Sequence, residues 1–249
     1  MVARIGMAVV ALGVLAGAAL AAPAKPAAAR KHAQPSRFTA PHDATTTPAY
    51  RYARLSREDC EAELTARHIE FAREEARGVR EPVRITAPLH GVTFRTNLPA
   101  AARATSPWEI SDCRLVLALD DFAAILAEHR IAEVRHYSMY RPPGKSWPED
   151  RIAAQHAGAL AIDAARFVRA DGTFLDVLDH FHGAIGAKTC GDGASPSPTT
   201  PEATELRAIL CAAVDHRLFN VVLTPNYNKP HRNHFHLEVM ENVAWFLVH

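Results

Sequence analysis

Apolar and polar positions along this chain recur with two different periods, and the changes of period mark its elements. Ser56 opens the run SREDCEAELTARHIEFAREEAR, in which Leu64, Ile69 and Phe71 stand among charged residues. Ser56 with Asp59 three residues on has the form of an N-cap followed by an acidic first turn, so the run predicts a helix against the core. PVRITAPLHGVTF is interrupted by Pro88 and Gly91 and reads as two short strands. In SDCRLVLALDDFAAILAEHR, Leu115, Leu117, Leu119, Phe122, Ile125 and Leu126 form a broad apolar face, which predicts a long helix. AEVRHYSMYR then turns strand-like and is stopped by Pro142 and Pro143. ALAIDAARFVRADGTFLDVL predicts two strands joined around Asp171-Gly172, a hairpin signal. TPEATELRAILCAAVDHRL predicts a helix capped near Thr200, and FNVVLTP and HFHLEVM predict closing strands. This order of elements favours an α+β domain with a mainly antiparallel sheet and flanking helices.

The first 50 residues follow neither period. Arg4 precedes an apolar run from Ile5 to Leu20, and Ala19-Leu20-Ala21 fits the small-x-small cleavage rule. Residues 1–21 therefore read as a secretory signal peptide, with a retained anchor as the alternative; the run is shorter than the roughly 20 residues that span a bilayer. Residues 22–50 are rich in Ala, Pro and Thr and poor in large apolar side chains, so a disordered linker is expected there. Residues 51–249 are left for one folded domain, expected to be periplasmic or secreted and to have no stable membrane anchor after cleavage. A monomer is expected.

The chain of 249 residues carries 28 basic and 27 acidic side chains, for a formal charge of +1. Such a balance gives no clustered excess of Lys and Arg for a phosphate backbone, and nucleic acid is not expected as a partner. All four cysteines, Cys60, Cys113, Cys190 and Cys211, fall in the folded part with no CxxC spacing. In an oxidising compartment an even count predicts two disulfides. Of the three possible connectivities, Cys60–Cys113 with Cys190–Cys211 is preferred.

Candidate chemistry gathers in two histidine pairs, His180/His182 in LDHFHG and His234/His236 in PHRNHFHLEV. On a strand, residues i and i+2 share a face, so His234 and His236 project together while Phe235 and Leu237 pack behind them. The His180/His182 pair is followed by Gly183, Ala184 and Gly186 rather than by a strand. Upstream, QHAGALAIDAARF holds His156 and, at the start of the hairpin strand, Asp163. Two imidazoles and a carboxylate can hold tetrahedral zinc with one position left open.

His156 and Asp163 at this spacing, followed late in the chain by His-Phe-His, resemble the zinc constellation of D-Ala-D-Ala peptidases, lysostaphin-type endopeptidases and hedgehog domains. More narrowly, DCRLVLAL, HYSMYR, QHAGALAIDAARF and LFNVVLTPNYNKPHRNHFHLEV resemble the bacterial extensin-like C-terminal family from about Cys113 to Val239. The resemblance implies a zinc-dependent peptidase acting on peptidoglycan stem peptides or cross-links, in a D-Ala-D-Ala metallopeptidase/hedgehog-like fold. It puts Zn2+ on His156, Asp163 and His236, makes His234 the catalytic base, and makes Arg141 the group that stabilises developing negative charge. Tyr140 and His231 are possible substrate contacts. Hedgehog domains leave a second implication open, a non-catalytic, zinc-containing wall-binding or regulatory module.

The match has departures. D-Ala-D-Ala peptidases carry Ser two residues before the first ligand, Gly three after it, and Glu three before the last. Here these are Ala154, Ala159 and Asn233. A glutamate base is therefore not implied, and His234 takes the role, as in the lysostaphin and penicillin-insensitive endopeptidase branches.

Overall fold

A computed structural model describes residues 42–249, which belong to one compact unit. The expected signal peptide and residues 22–41 of the expected linker lie outside the described residues. Residues 42–50 do not form the disordered tether expected of them. Ala44–Thr46 makes a 3-10 turn and helix α1 spans Pro48–Ala53. Ala44, Thr47 and Ala49 are buried, and the Ala49 N–H donates to the Arg217 carbonyl at 3.1 Å. Small side chains bury little area but allow close approach, so composition alone did not reveal this packing.

Helix α2 covers Arg57–Ala66, with Ser56 Oγ accepting from the Asp59 N–H at 3.1 Å as its N-cap. It is shorter than expected. His68 adopts a left-handed φ of 58°, and the Ile69 N–H closes onto the Leu64 carbonyl at 2.9 Å, which ends the helix. Phe71 then begins strand β1 (Phe71–Arg73), paired antiparallel with β2 (Pro82–Ile85). β3 (Thr93–Thr96), the short helix α3 (Ala100–Arg103) and β4 (Ser111–Asp112) lead to the 16-residue α4 (Cys113–Glu128), capped by Asp112. The remaining elements are β5 (Ile131–His136), β6 (Ala161–Arg169), β7 (Phe174–Asp176), α5 (Val177–His180), α6 (Pro201–Asp215), β8 (Val221–Leu223), β9 (Phe235–Glu238) and β10 (Leu247–Val248). Thr200 Oγ1 caps α6 through the Ala203 N–H at 3.1 Å.

The domain is α+β, but its sheet is mixed rather than mainly antiparallel. Seven strands run in the order β10-β8-β9-β6-β5-β3, with β7 also on β6, and both outer pairings, β3–β5 and β10–β8, are parallel. The chain passes through α4 between β3 and β5, and a helical crossover of this kind returns a strand in the same direction. A smaller sheet joins β1, β2 and β4 antiparallel.

The core lies between α4 and the large sheet. Phe122 of α4 packs edge-on against Phe167 of β6 and Phe219 beside β8, at 6.4 and 5.8 Å between ring centres. Phe167 also meets Phe235 of β9 at 5.9 Å. Phe235 therefore faces the core while its neighbours His234 and His236 face away, as the two-residue period requires. Both disulfides have the sequential connectivity: Cys60–Cys113 ties α2 to the start of α4, and Cys190–Cys211 ties the loop before α6 to α6 itself. Among the described residues no helix is long and apolar enough to cross a membrane.

Candidate metal centre

Asp163 on β6 and His236 on β9 are direct partners in the antiparallel register. His156 comes from a 3-10 turn (Gln155–Gly158) just before β6, and its carbonyl accepts the Arg141 N–H at 2.9 Å. Three elements thus deliver three buried side chains to one point. His156 Nε2 and Asp163 Oδ1 are 3.0 Å apart, His236 Nδ1 and Asp163 Oδ1 3.1 Å, and the two nitrogens 3.2 Å. A tetrahedral ion with bonds of about 2.0 Å has ligand–ligand edges of about 3.3 Å, so this triangle has the size of one tetrahedral face.

The other imidazole nitrogens fix the tautomers. His156 Nδ1–H donates to the Met139 carbonyl at 2.9 Å, and His236 Nε2–H donates to Glu238 Oε2 at 3.3 Å. When both rings are neutral, the three converging atoms present only lone pairs to one another, a donor set that a cation satisfies and that a second proton on His236 satisfies in its place. Carbonyl and carboxylate partners behind ligating histidines are the usual supports of a metal site. The residues fit zinc.

The electrostatics agree with a site built for positive charge. Burial works against ionisation of Asp163, yet hydrogen bonds with His156 and His236 hold its carboxyl well below the usual carboxylate range. Burial also opposes charge on His236, but hydrogen bonds to Asp163 and Glu238 push it up to about 9. His234 is different. Burial pushes it down to about 4, against the pull of Asp163, and leaves a neutral imidazole at neutral pH.

His234 precedes β9 and its Nε2 lies 3.4 Å from Asp163 Oδ1, at the edge of the triangle. Its Nδ1 lies 3.0 Å from Asn233 Oδ1, and Asn233 Nδ2 donates to the Tyr137 hydroxyl at 2.8 Å. The Tyr137 ring also meets His234 edge-on at 5.7 Å. Arg141 donates from Nη2 to Asp163 Oδ2 at 3.2 Å, with its side chain 55% exposed. His231 packs its ring against those of His234 and His236 at 5.2 and 5.9 Å and meets Asn228 Oδ1 at 2.7 Å.

Tyr140 is not among these groups. It is buried beside Val79 and Ile110, and its hydroxyl donates to the Arg77 carbonyl at 2.9 Å, so it supports the loop and turns its polar atom away from the cluster. Tyr137 is the tyrosine facing the site. His180 is absorbed elsewhere too: its Nδ1 accepts the Asp176 N–H at 3.0 Å and its ring stacks on Phe174.

Sequence reasoning did not assign roles to Glu238, Asn233 or Tyr137. For Glu238 the signal was present, since it shares the strand face of His236. Asn233 and Tyr137 act through side-chain directions that no spacing prescribes.

No curated protein and no solved structure matches the chain. The family model described as extensin-like protein C-terminus matches residues 58–247, a span that contains both disulfides and every side chain around the metal centre, and the chain belongs to that family.

Proposed function

We propose that this protein is an exported, zinc-dependent peptidase that hydrolyses amide bonds in peptidoglycan stem peptides or cross-links, in the manner of the lysostaphin and penicillin-insensitive endopeptidase branches. The observation that carries the reading is a buried three-donor face, His156, Asp163 and His236, with a neutral, non-ligating His234 at its edge. A structural zinc site closes its fourth position with a further ligand, whereas a catalytic one keeps it open.

Bound there, zinc supplies Lewis acidity toward water and toward the amide carbonyl. The rest falls to the chain's own side chains. Asn233 accepts the His234 Nδ1 proton and so leaves the Nε2 lone pair toward the site, where it takes a proton from the attacking water. The same nitrogen then returns a proton to the leaving amine. Arg141 uses one guanidinium nitrogen to hold Asp163 and keeps its other donors for the carbonyl oxygen as negative charge develops. The two disulfides suit an oxidising compartment, and we place the protein in the periplasm or outside the cell.

The test is digestion of purified sacculi by the zinc-loaded protein, with released muropeptides identified by mass spectrometry. Wild-type protein should release products that chelation abolishes. His234→Ala should keep its zinc and lose about 10²- to 10⁴-fold in rate. Wild-type protein that binds sacculi but releases nothing at any pH overturns the peptidase reading in favour of a wall-binding module.

A further inference from the structure

Beside the metal centre lies a cavity of about 470 Å³ that the proposed chemistry does not use. Its floor is apolar: Val177 and Phe181 are buried there, and Phe181 packs on Phe235, the residue between His234 and His236, at 5.3 Å. Its rim carries Leu178 and Ile185, exposed by 55% and 68%. Asn228, Lys229 and Arg232, from the segment that leads to His234, also line it. Asn228 binds His231, whose ring packs against those of His234 and His236, so the cavity wall connects to the histidine cluster through Asn228 and His231.

The wall is fixed in advance. The Ala184 N–H donates to Asn226 Oδ1 at 2.9 Å, and a Cβ on Gly183 would meet that oxygen at 2.3 Å, so the backbone fits there only as glycine. The Cys190–Cys211 disulfide anchors the rest of the loop to α6.

Its charge has one sign. Lys229 and Arg232 both line the cavity and no Asp or Glu does. Arg232 donates from Nη1 to the Lys229 carbonyl at 3.3 Å, and among the described residues neither cation forms an ion pair with a carboxylate. Two cations together without one form an anion site over an apolar floor.

We infer that this cavity is the subsite for a carboxylate-bearing residue of the peptide substrate, next to the bond that is cut. Lys229 and Arg232 receive the carboxylate, and Leu178, Phe181 and Ile185 cover the aliphatic part of the same residue. The inference rests on the peptidase reading for its substrate class, but its test does not need turnover.

The experiment uses zinc-loaded full-length protein and two fluorescein-labelled stem pentapeptides, one with the free α-carboxylate of its D-glutamate and one with that group as carboxamide. Binding is read by fluorescence anisotropy and cleavage by chromatography. Wild-type protein should bind the carboxylate form about tenfold more tightly. Lys229→Gln with Arg232→Gln should bring the ratio of the two affinities to about one, and Ile185→Asp should invert it by adding a negative charge at the rim. Both cations and Ile185 are exposed, so these variants keep the core; zinc content and melting temperature check that they do. A wild-type ratio near one, or a preference that survives loss of both cations, overturns the subsite. Preference for the carboxylate without any cleavage keeps the subsite and overturns the peptidase reading; cleavage without preference does the reverse.

Discussion

Asn233 and His234 are neighbours in the chain and also in space, with Asn233 Oδ1 3.0 Å from His234 Nδ1. Adjacent side chains on an extended backbone normally point to opposite faces, so this contact exists only because His234 lies just ahead of β9. It fixes which imidazole nitrogen carries the proton. Asn233→Ala frees that choice and should lower kcat about tenfold, the value of one lost hydrogen bond, with zinc content unchanged. Steady-state kinetics on a stem peptide, beside elemental analysis, checks both halves.

On the proposed zinc site, the three side chains His156, Asp163 and His236 should act as a unit. His156→Ala, Asp163→Ala and His236→Ala should each hold less than a tenth of the wild-type zinc after dialysis, whereas His180→Ala, whose contacts with Asp176 and Phe174 lie outside the triangle, should retain it. Full zinc in His236→Ala would place the ion elsewhere.

Zinc and a proton compete for His236. Its folded pKa, about 9, lies above the ordinary histidine value, so in the metal-free protein the imidazolium contributes stability fully below pH 6.5 and loses it as pH rises through 9. Zinc needs the neutral ring, and binding at pH 7 should therefore release about one proton. Calorimetry in two buffers of different ionisation enthalpy measures it. Glu238→Gln removes one of the two carboxylates that hold the proton, so proton release should shrink and zinc affinity fall about 10- to 100-fold.

His136 points the opposite way. Its ring is fully buried, neither nitrogen has a hydrogen-bond partner, and burial depresses its pKa to about 3. The unfolded chain binds this proton first, so the group costs stability as pH falls from 6.5 toward 3, about 2 kcal/mol by pH 5. His136→Phe, similar in shape and unable to titrate, should flatten the pH dependence of the melting temperature over that range. An unchanged slope would mean that another group dominates acid unfolding.

The Cys190–Cys211 bridge closes a loop with a sequence separation of 21. Replacing both cysteines with serine should cost about 3 kcal/mol by chemical denaturation, with the loss concentrated in the unfolding transition rather than in zinc content.

The strongly periodic elements could be read from the sequence: α4, α6, the β6–β7 hairpin and β9 stand where the apolar pattern put them. Ile69 and Phe71 misled it, because two apolar residues after a capped helix continue the helical rhythm equally well as the start of a strand, and only the left-handed turn at His68 decides. β4 and β10 have two residues each, too few for any period. At the site, the spacing and residue types pointed to His156, Asp163 and His236, and the structure brings these three side chains together. Orientation is a property of the assembled loops, which is why Tyr137 was not singled out and Asn233 appeared only as a departure from a pattern.

The facing of Asp163 and His236 across β6 and β9 has a consequence for how the sheet assembles. A strand that slips by one residue turns all its side chains over, and the core rejects it. A slip by two residues does not, and in a His-x-His strand it sets His234 opposite Asp163, another imidazole on the same face. Histidine alone cannot tell the two alignments apart. Glu238 can, because it stands two residues beyond His236, and in the slipped alignment that place behind the ligand is taken by a second histidine, which cannot serve as the anion. On the proposed zinc site, the carboxylate behind His236 would favour one strand alignment, and zinc content would measure how many molecules have closed the sheet in that register.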